Sequence, residues 1–202
     1  MTTDYEDAVA VGGLSVRLLR PSAPEELFAV AAEARGDAPY WAELWPCARA
    51  LAAHIATMDL TAARVVELGC GLALPSLVAA LRGADVIASD YAPDALERVA
   101  ESGLRTLGRP LETLQADLHA PAALIVRGPF DLVLGADLLY DCTLAEAMGA
   151  LIPLIAPAAL FAYAWKRSAI PLTSPLAAQG YRIAQWRPGA KGPRLFEALR
   201  EG

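Results

Sequence analysis

The chain has 202 residues, 55% of them apolar and 20% charged, with a net charge of −6. That length suits one domain, and the composition suits a packed core and not a disordered chain. The negative sign argues against a general nucleic-acid binder. Three widely spaced cysteines (Cys47, Cys70, Cys142) and two histidines (His54, His119) fit no disulfide framework, zinc knuckle or histidine-based metal site.

The charge is uneven. Residues 1–162 carry ten basic and 21 acidic side chains, a net −11, whereas residues 163–202 carry seven basic and two acidic, a net +5. The first residues, MTTDYEDAVA, are acidic and lack the apolar run of a signal peptide. Ala147 to Trp165 is uncharged for nineteen residues, but Pro153 and Pro157 interrupt it. A helix end, a turn and a buried strand explain that run better than a membrane span. The expectation is a cytoplasmic domain over 1–202, with an N-terminal extension and helix over 1–60 and a core over 61–202. It predicts a monomer or weak dimer, with no membrane or nucleic-acid partner.

In chain order, residues 13–20 (GLSVRLLR) read as a strand. Pro24 to Ala34 reads as a helix, with Pro at its start and Glu25 and Glu26 in the first turn. Residues 35–45 read as a loop with three aromatics. Pro46 then opens a helix to about Met58, with Cys47, Leu51, Ile55 and Met58 on one face. From Arg64 strands and helices alternate. Strands are RVVEL, ADVIASD, LETLQAD, FDLVLGAD and ALFAYAW. Helices are expected over 72–83, over 92–104 with Leu96, Val99, Ala100 and Leu104 on one apolar face, and from Thr143 to about Ile155. The last strands, YRIAQWR and PRLFEALR, are joined by a loop too short for a parallel crossover, so they form an antiparallel hairpin. The fold class is therefore α/β: a Rossmann-like, doubly wound seven-stranded sheet, mostly parallel, with helices on both faces.

Ligands of such sheets bind at the C-terminal strand ends. The first core strand ends in Glu67-Leu68-Gly69-Cys70-Gly71, and two glycines two apart allow a tight turn and close approach to a ligand. The next strand ends in Asp90, where a carboxylate can accept from a ribose diol. Leu74 stands where a nicotinamide fingerprint needs its third glycine, and no Lys-Ser/Thr ending marks a phosphate loop. A ligand with ribose and adenine but no phosphates fits, and S-adenosylmethionine is such a ligand. Cys47 and Cys142 read as buried small hydrophobes.

The stretch Glu67-Leu68-Gly69-Cys70-Gly71-Leu72-Ala73-Leu74-Pro75 resembles motif I of class I methyltransferases, with Ala73 where many members have a third glycine. Asp90 matches their second-strand acid. Asp117, in Gln115-Ala116-Asp117-Leu118, matches the acid that faces the adenine amino group, and residues 130–137 resemble their fourth strand. Tyr40-Trp41-Ala42-Glu43-Leu44-Trp45-Pro46 is similar to the YWxxLWP segment of methyltransferase family 16, and Asp137-Leu138-Leu139-Tyr140 to its Asp-x-x-Tyr motif. That family contains protein lysine methyltransferases, including those of the electron-transfer-flavoprotein β-subunit, and similar bacterial proteins are described as nicotinamide N-methyltransferase-like.

The resemblance implies S-adenosylmethionine as cofactor and S-adenosylhomocysteine as product. It implies cofactor contacts from Trp45, Glu67, Gly69, Cys70, Gly71, Asp90, Tyr91, Asp117, Leu118 and Ala136. Asp137 and Tyr140 take catalytic or acceptor-orienting roles, and Tyr40 and Trp41 line the acceptor side. Trp165-Lys166-Arg167 ends the fifth strand on the same rim, which places Trp165 on the acceptor side with Lys166 and Arg167 flanking it, a solvated pair being the alternative. No metal is implied. The acceptor is a protein lysine, with a small-molecule amine, or a binding module without activity, as the alternatives.

Overall fold

A computed structural model describes residues 3–34, 36, 38–164 and 169–201. Two strands precede the core: β1 (Asp4–Val11) and β2 (Leu14–Pro21), an antiparallel hairpin. Strand β1 is not among the elements expected from the sequence. Its signal is the Gly12-Gly13 pair, both with positive φ (+56° and +79°), which fits a tight two-residue hairpin turn. Helix α1 (Pro24–Glu33) is followed by a 3₁₀ turn at Tyr40–Ala42 and by α2 (Pro46–Ile55). Met58 falls beyond α2, while Cys47, Leu51 and Ile55 are buried along it as expected.

The core then runs β3 (Arg64–Leu68), α3 (Leu74–Leu81), β4 (Asp85–Asp90), α4 (Pro93–Leu107), β5 (Glu112–Gln115), α5 (Ala122–Arg127) and β6 (Leu132–Ala136). It continues through α6 (Cys142–Ile155), β7 (Ala158–Tyr163), α7 (Ile170–Ala178), β8 (Tyr181–Trp186) and β9 (Arg194–Arg200). The sheet order is β5-β4-β3-β6-β7-β9-β8. The first five strands are parallel, and β9 is antiparallel to both β7 and β8. Helices α5 and α7 were not expected from the sequence. The uncharged run is the end of α6 plus β7, and among the described residues no helix is long and apolar enough to cross a membrane.

Side chains alternate between the two faces of the sheet. Val65 and Leu134 pack with Leu51, Leu77 and Val99 on one face. Val66 and Val133 pack with Leu124, Met148, Ile152 and Leu172 on the other. The hairpin lies against α4: the buried Ser102 Oγ accepts the Leu19 N–H (2.8 Å) and donates to the Arg98 carbonyl (2.7 Å).

Helix α4 also carries a correction. Leu104, expected on the apolar face, is exposed, and the buried face is Ala95, Leu96, Val99, Ser102 and Gly103. A Cβ at Gly103 would stand 2.2 Å from the Leu111 nitrogen. The backbone of α4 therefore approaches the start of β5 at position 103, which turns residue 104 outward. Cys142, expected buried, is exposed at the first position of α6, which begins just after its capping residue Asp141.

Candidate functional site

Chain direction across the sheet reverses beside β3, which pairs with β4 on one side and β6 on the other. Beyond the C-terminal ends of these strands lies a cavity of about 470 Å³, within the roughly 300–1,000 Å³ of small-molecule sites. It is where a doubly wound sheet leaves a crevice between diverging loops.

The loop after β3 is a run of left-handed residues: Gly69 (φ +53°), Gly71 (φ +52°) and Ala73 (φ +55°). A Cβ on Gly69 would stand 2.5 Å from Leu138 Cδ2, and one on Gly71 would stand 3.4 Å from the Trp41 carbonyl oxygen. The glycines thus let the loop touch both the β6 turn and the segment before α2. Ala73 holds the conformation a glycine would adopt, at a cost of about 1 kcal/mol for its Cβ. Its methyl is buried in the core, and its departure from the motif leaves the turn intact.

Asp90 closes the loop. Its Oδ2 accepts the Gly71 N–H (2.9 Å) and its Oδ1 the Ala92 N–H (3.0 Å). Burial pushes this carboxyl above its usual range, while the N–H bonds from Ala92, Gly71 and Tyr91 oppose that rise. Three N–H donors on two carboxylate oxygens leave one lone pair for a hydroxyl donor in the cavity. Glu67, at the base of the cavity, is fully committed on one oxygen: Oε2 accepts both the Ser76 N–H (2.9 Å) and the Ser76 hydroxyl (2.5 Å). Burial raises it to about 8, against those two bonds. It braces α3 to β3. Cys70 donates its N–H to the Ser89 carbonyl (2.9 Å), and burial followed by the charges of Asp90 and Glu67 pushes its thiol up. It is a buried wall residue whose thiol is held in its neutral form.

Further round the wall, Tyr91 is half exposed and its carbonyl accepts from Gln115 Nε2 (3.1 Å). Asp117 is exposed after β5, accepting the His119 N–H on Oδ1 (2.8 Å), and Leu118 beside it is buried. Ala136 is half-buried at the end of β6. All the expected cofactor residues (Trp45, Glu67, Gly69, Cys70, Gly71, Asp90, Tyr91, Asp117, Leu118, Ala136) line this one cavity, and so do Tyr40, Trp41, Asp137 and Tyr140. Trp165, Lys166 and Arg167 lie outside the described residues.

The mouth is aromatic. The Tyr40 ring stands 6.1 Å from Trp45, 6.0 Å from Tyr140 and 5.8 Å from Phe28. Trp45 Nε1–H donates to the Tyr40 carbonyl (2.8 Å). Tyr40, Trp45 and Tyr140 are 50%, 40% and 65% exposed, so the rim is open. Phe28, on α1, was not singled out from the sequence, because nothing in the periodicity of α1 says which neighbour its ring meets. Trp41 is half-buried, with the Arg98 guanidinium 5.0 Å from its ring centre. Asp137 has φ +56°, and its Oδ2 accepts the Cys47 N–H of α2 (3.0 Å). The cap of the following helix α6 is instead Asp141, which accepts from Thr143 and Leu144. Among the described residues no group of three or more His, Cys, Asp or Glu could hold a metal ion.

No protein-family model matches the chain. It is 34% identical over 113 residues to the histone-arginine methyltransferase METTL23 of Xenopus laevis, covering 50% of this chain and 46% of that one. It is 31% identical over 116 residues to the electron transfer flavoprotein beta subunit lysine methyltransferase of Xenopus laevis, covering 56% and 45%. It is 37% identical over 87 residues to the protein N-lysine methyltransferase METTL21A of Danio rerio, covering 41% and 39%. The matched region thus spans less than half the length of these curated relatives.

Solved structures share the fold. The S-adenosylmethionine-bound crystal structure of magnesium protoporphyrin IX methyltransferase from Synechocystis PCC 6803 gives a TM-score of 0.62 at 19% identity, covering 90% of this chain and 86% of that one. The ribosomal protein L11 methylase of Lactobacillus delbrueckii subsp. bulgaricus gives 0.61 at 18%, covering 75% and 78%.

Proposed function

We propose that this chain, a relative of class I S-adenosylmethionine-dependent methyltransferases, transfers a methyl group from that cofactor to an amine, and that the amine is a protein lysine. The observation that carries the reading is Asp90: a buried carboxylate at the end of β4, one strand from the sheet's switch point, tied to the glycine loop and lining a cavity of cofactor size. Its remaining lone pair suits a ribose hydroxyl. Asp117 suits the adenine amino group, and Leu118, Cys70 and Tyr91 suit the faces of the nucleoside.

When bound, the cofactor supplies a methyl group on a sulfonium, and an amine lone pair displaces a neutral thioether in line. The residues of the chain align the partners and exclude water. A lysine ammonium has a reference pKa of about 10.4 and must shed its proton before it can act. The rings of Tyr40, Trp45 and Tyr140 pack the methylene stem, and the open mouth lets the ammonium lose its proton to water before transfer. Its openness supports an acceptor carried on a large molecule. The relatives named for lysine methylation support the same acceptor.

The test has two parts. Calorimetry with S-adenosylhomocysteine should show one site per chain; no binding overturns the proposal. A lysate incubated with methyl-tritiated cofactor should carry label on a protein band, and acid hydrolysis of that band should return the label as methyl-lysine. Label confined to the small-molecule fraction would replace the protein acceptor with a small amine.

A further inference from the structure

Asp137 is placed by sequence pattern where an acceptor-orienting carboxylate would stand, yet its side chain is turned to another task. Helix α2 has no cap of its own: its N-cap residue Trp45 makes no side-chain capping bond, and Pro46 at the first turn has no N–H. The carboxylate that meets the Cys47 amide of its first turn comes from 90 positions away, with Oδ2 of Asp137 3.0 Å from the Cys47 nitrogen. The backbone of Asp137 is fixed as well. Its N–H donates to the Ala162 carbonyl (3.1 Å), and its φ of +56° turns the chain sharply at the end of β6.

That turn seats Leu138 on Gly69, at the spot a Cβ there would occupy, and sends Tyr140 to the rim beside Tyr40. One residue therefore joins three parts of the cavity wall. Its side chain holds the start of α2, which follows directly on Trp45. Its backbone turn locks the glycine loop through Leu138 and presents the aromatic mouth through Tyr140. Asp and Asn are the non-glycine residues that enter the left-handed region most readily, and they are also good helix caps. The two requirements at this position, turn and cap, select the same side chains.

We infer that Asp137 is a positioning residue, which shapes the site by capping α2 across the cavity and not by placing its charge on the reacting groups. This rests on the methyl-transfer reading above.

Three variants separate its parts. Asp137→Gly keeps the turn and removes the cap. Asp137→Ala removes the cap and strains the turn. Asp137→Asn keeps an oxygen acceptor and the turn but removes the charge. The readouts are amide hydrogen exchange at Cys47 and calorimetric affinities for both S-adenosylmethionine and S-adenosylhomocysteine. The Gly and Ala variants should speed exchange at Cys47 and weaken both ligands by about fivefold, the size expected for a lost cap. The Asn variant should stay within about twofold of wild type on every readout, with the ratio of the two affinities unchanged.

Two results overturn the inference. If Asp137→Asn weakens the sulfonium ligand while leaving the thioether ligand untouched, the charge faces the methyl donor. If Asp137→Gly leaves Cys47 exchange and both affinities at wild-type values, the cap does not shape the site. A wild-type chain that binds neither ligand sinks the methyl-transfer reading, and the inference with it. Binding by wild type with the wrong variant pattern sinks the inference alone.

Discussion

The two walls of the cavity are built on opposite principles. Around Asp90 the wall is buried backbone: carboxylate oxygens on Gly71 and Ala92, Glu67 on Ser76, and the Cys70 amide on the Ser89 carbonyl. Around Tyr40 it is exposed rings 6.0 to 6.1 Å apart, backed by the half-buried Phe28, with one indole–carbonyl bond to fix them. The first wall is stiff because each buried polar group has one satisfied arrangement and moving it leaves a group unpaired. The second can repack, since ring contacts are broad in distance and angle. A stiff wall suits a ligand that never changes. A pliable one suits an acceptor delivered on a large, variable surface.

Substitutions should therefore have different signatures on the two walls. The largest effect is expected from Asp90→Ala. It strips the Gly71 and Ala92 amides of their acceptor in a buried place, at about 1–3 kcal/mol each. Stability should fall by about 2–4 kcal/mol in a denaturant titration, and S-adenosylhomocysteine affinity by about 100-fold or more. Next is Tyr140→Ala on the rim. Stability should move by less than about 0.5 kcal/mol, cofactor affinity should hold within about twofold, and label transfer to protein should fall about tenfold. A rim variant that lost cofactor binding as Asp90→Ala does would erase the distinction between the walls.

The stiff wall was largely legible in the sequence, and the pliable one only in part. Gly69, Gly71 and Asp90 are read from local rules: turn glycines after an apolar strand and an acid at the end of the next strand. Each rule acts within one βα unit, so a linear reading sees it. The strands β3, β4, β6 and β7 were legible for the same reason, as short apolar runs bounded by turns. Phe28 against Tyr40, and Asp137 on the amide of Cys47, join residues far apart in the chain with no local signature. Trp41 and Trp45 were found through a motif, but its pattern says nothing of Arg98 beneath one ring. Leu104 failed for a different reason. Helical periodicity centres the apolar side chains, whereas the packing of α4 is centred on the close approach of Gly103, which has no side chain to count.

Glu67 tests the stiff wall by pH. Its proton is held in the folded chain up to about pH 8, while the unfolded chain releases it near 4.5. Between those values the folded chain binds more protons than the unfolded one, so this group makes stability fall as pH rises. Glu67→Gln keeps an oxygen for both Ser76 bonds and cannot ionise. Relative to wild type it should gain stability steadily from about pH 5 to pH 8, read as a rising difference in Tm across that window. A difference flat with pH would mean that Glu67 is ionised in the folded chain throughout.

The smallest expected effect lies where the walls meet. Arg98 donates from Nε to Asp4 of the hairpin (3.0 Å) and from Nη1 to the Asp94 carbonyl (2.9 Å), while its guanidinium lies 5.0 Å from the Trp41 ring centre. The Trp41 backbone in turn lies against Gly71. Arg98 thus ties the N-terminal hairpin to the edge of the stiff wall through one half-buried side chain. Partly exposed ion pairs and cation–π contacts are each worth about 0.5–1 kcal/mol. Arg98→Ala should therefore lower stability by about 1–2 kcal/mol and S-adenosylhomocysteine affinity by less than about fivefold. Asp4→Ala removes the ion pair and leaves the ring contact, so it separates the two. If Trp41 belongs to the stiff wall, Arg98→Ala weakens the ligand and Asp4→Ala does not. If both variants lose stability equally and neither changes affinity, Trp41 belongs with the pliable rim, and the border between the walls runs between it and Gly71.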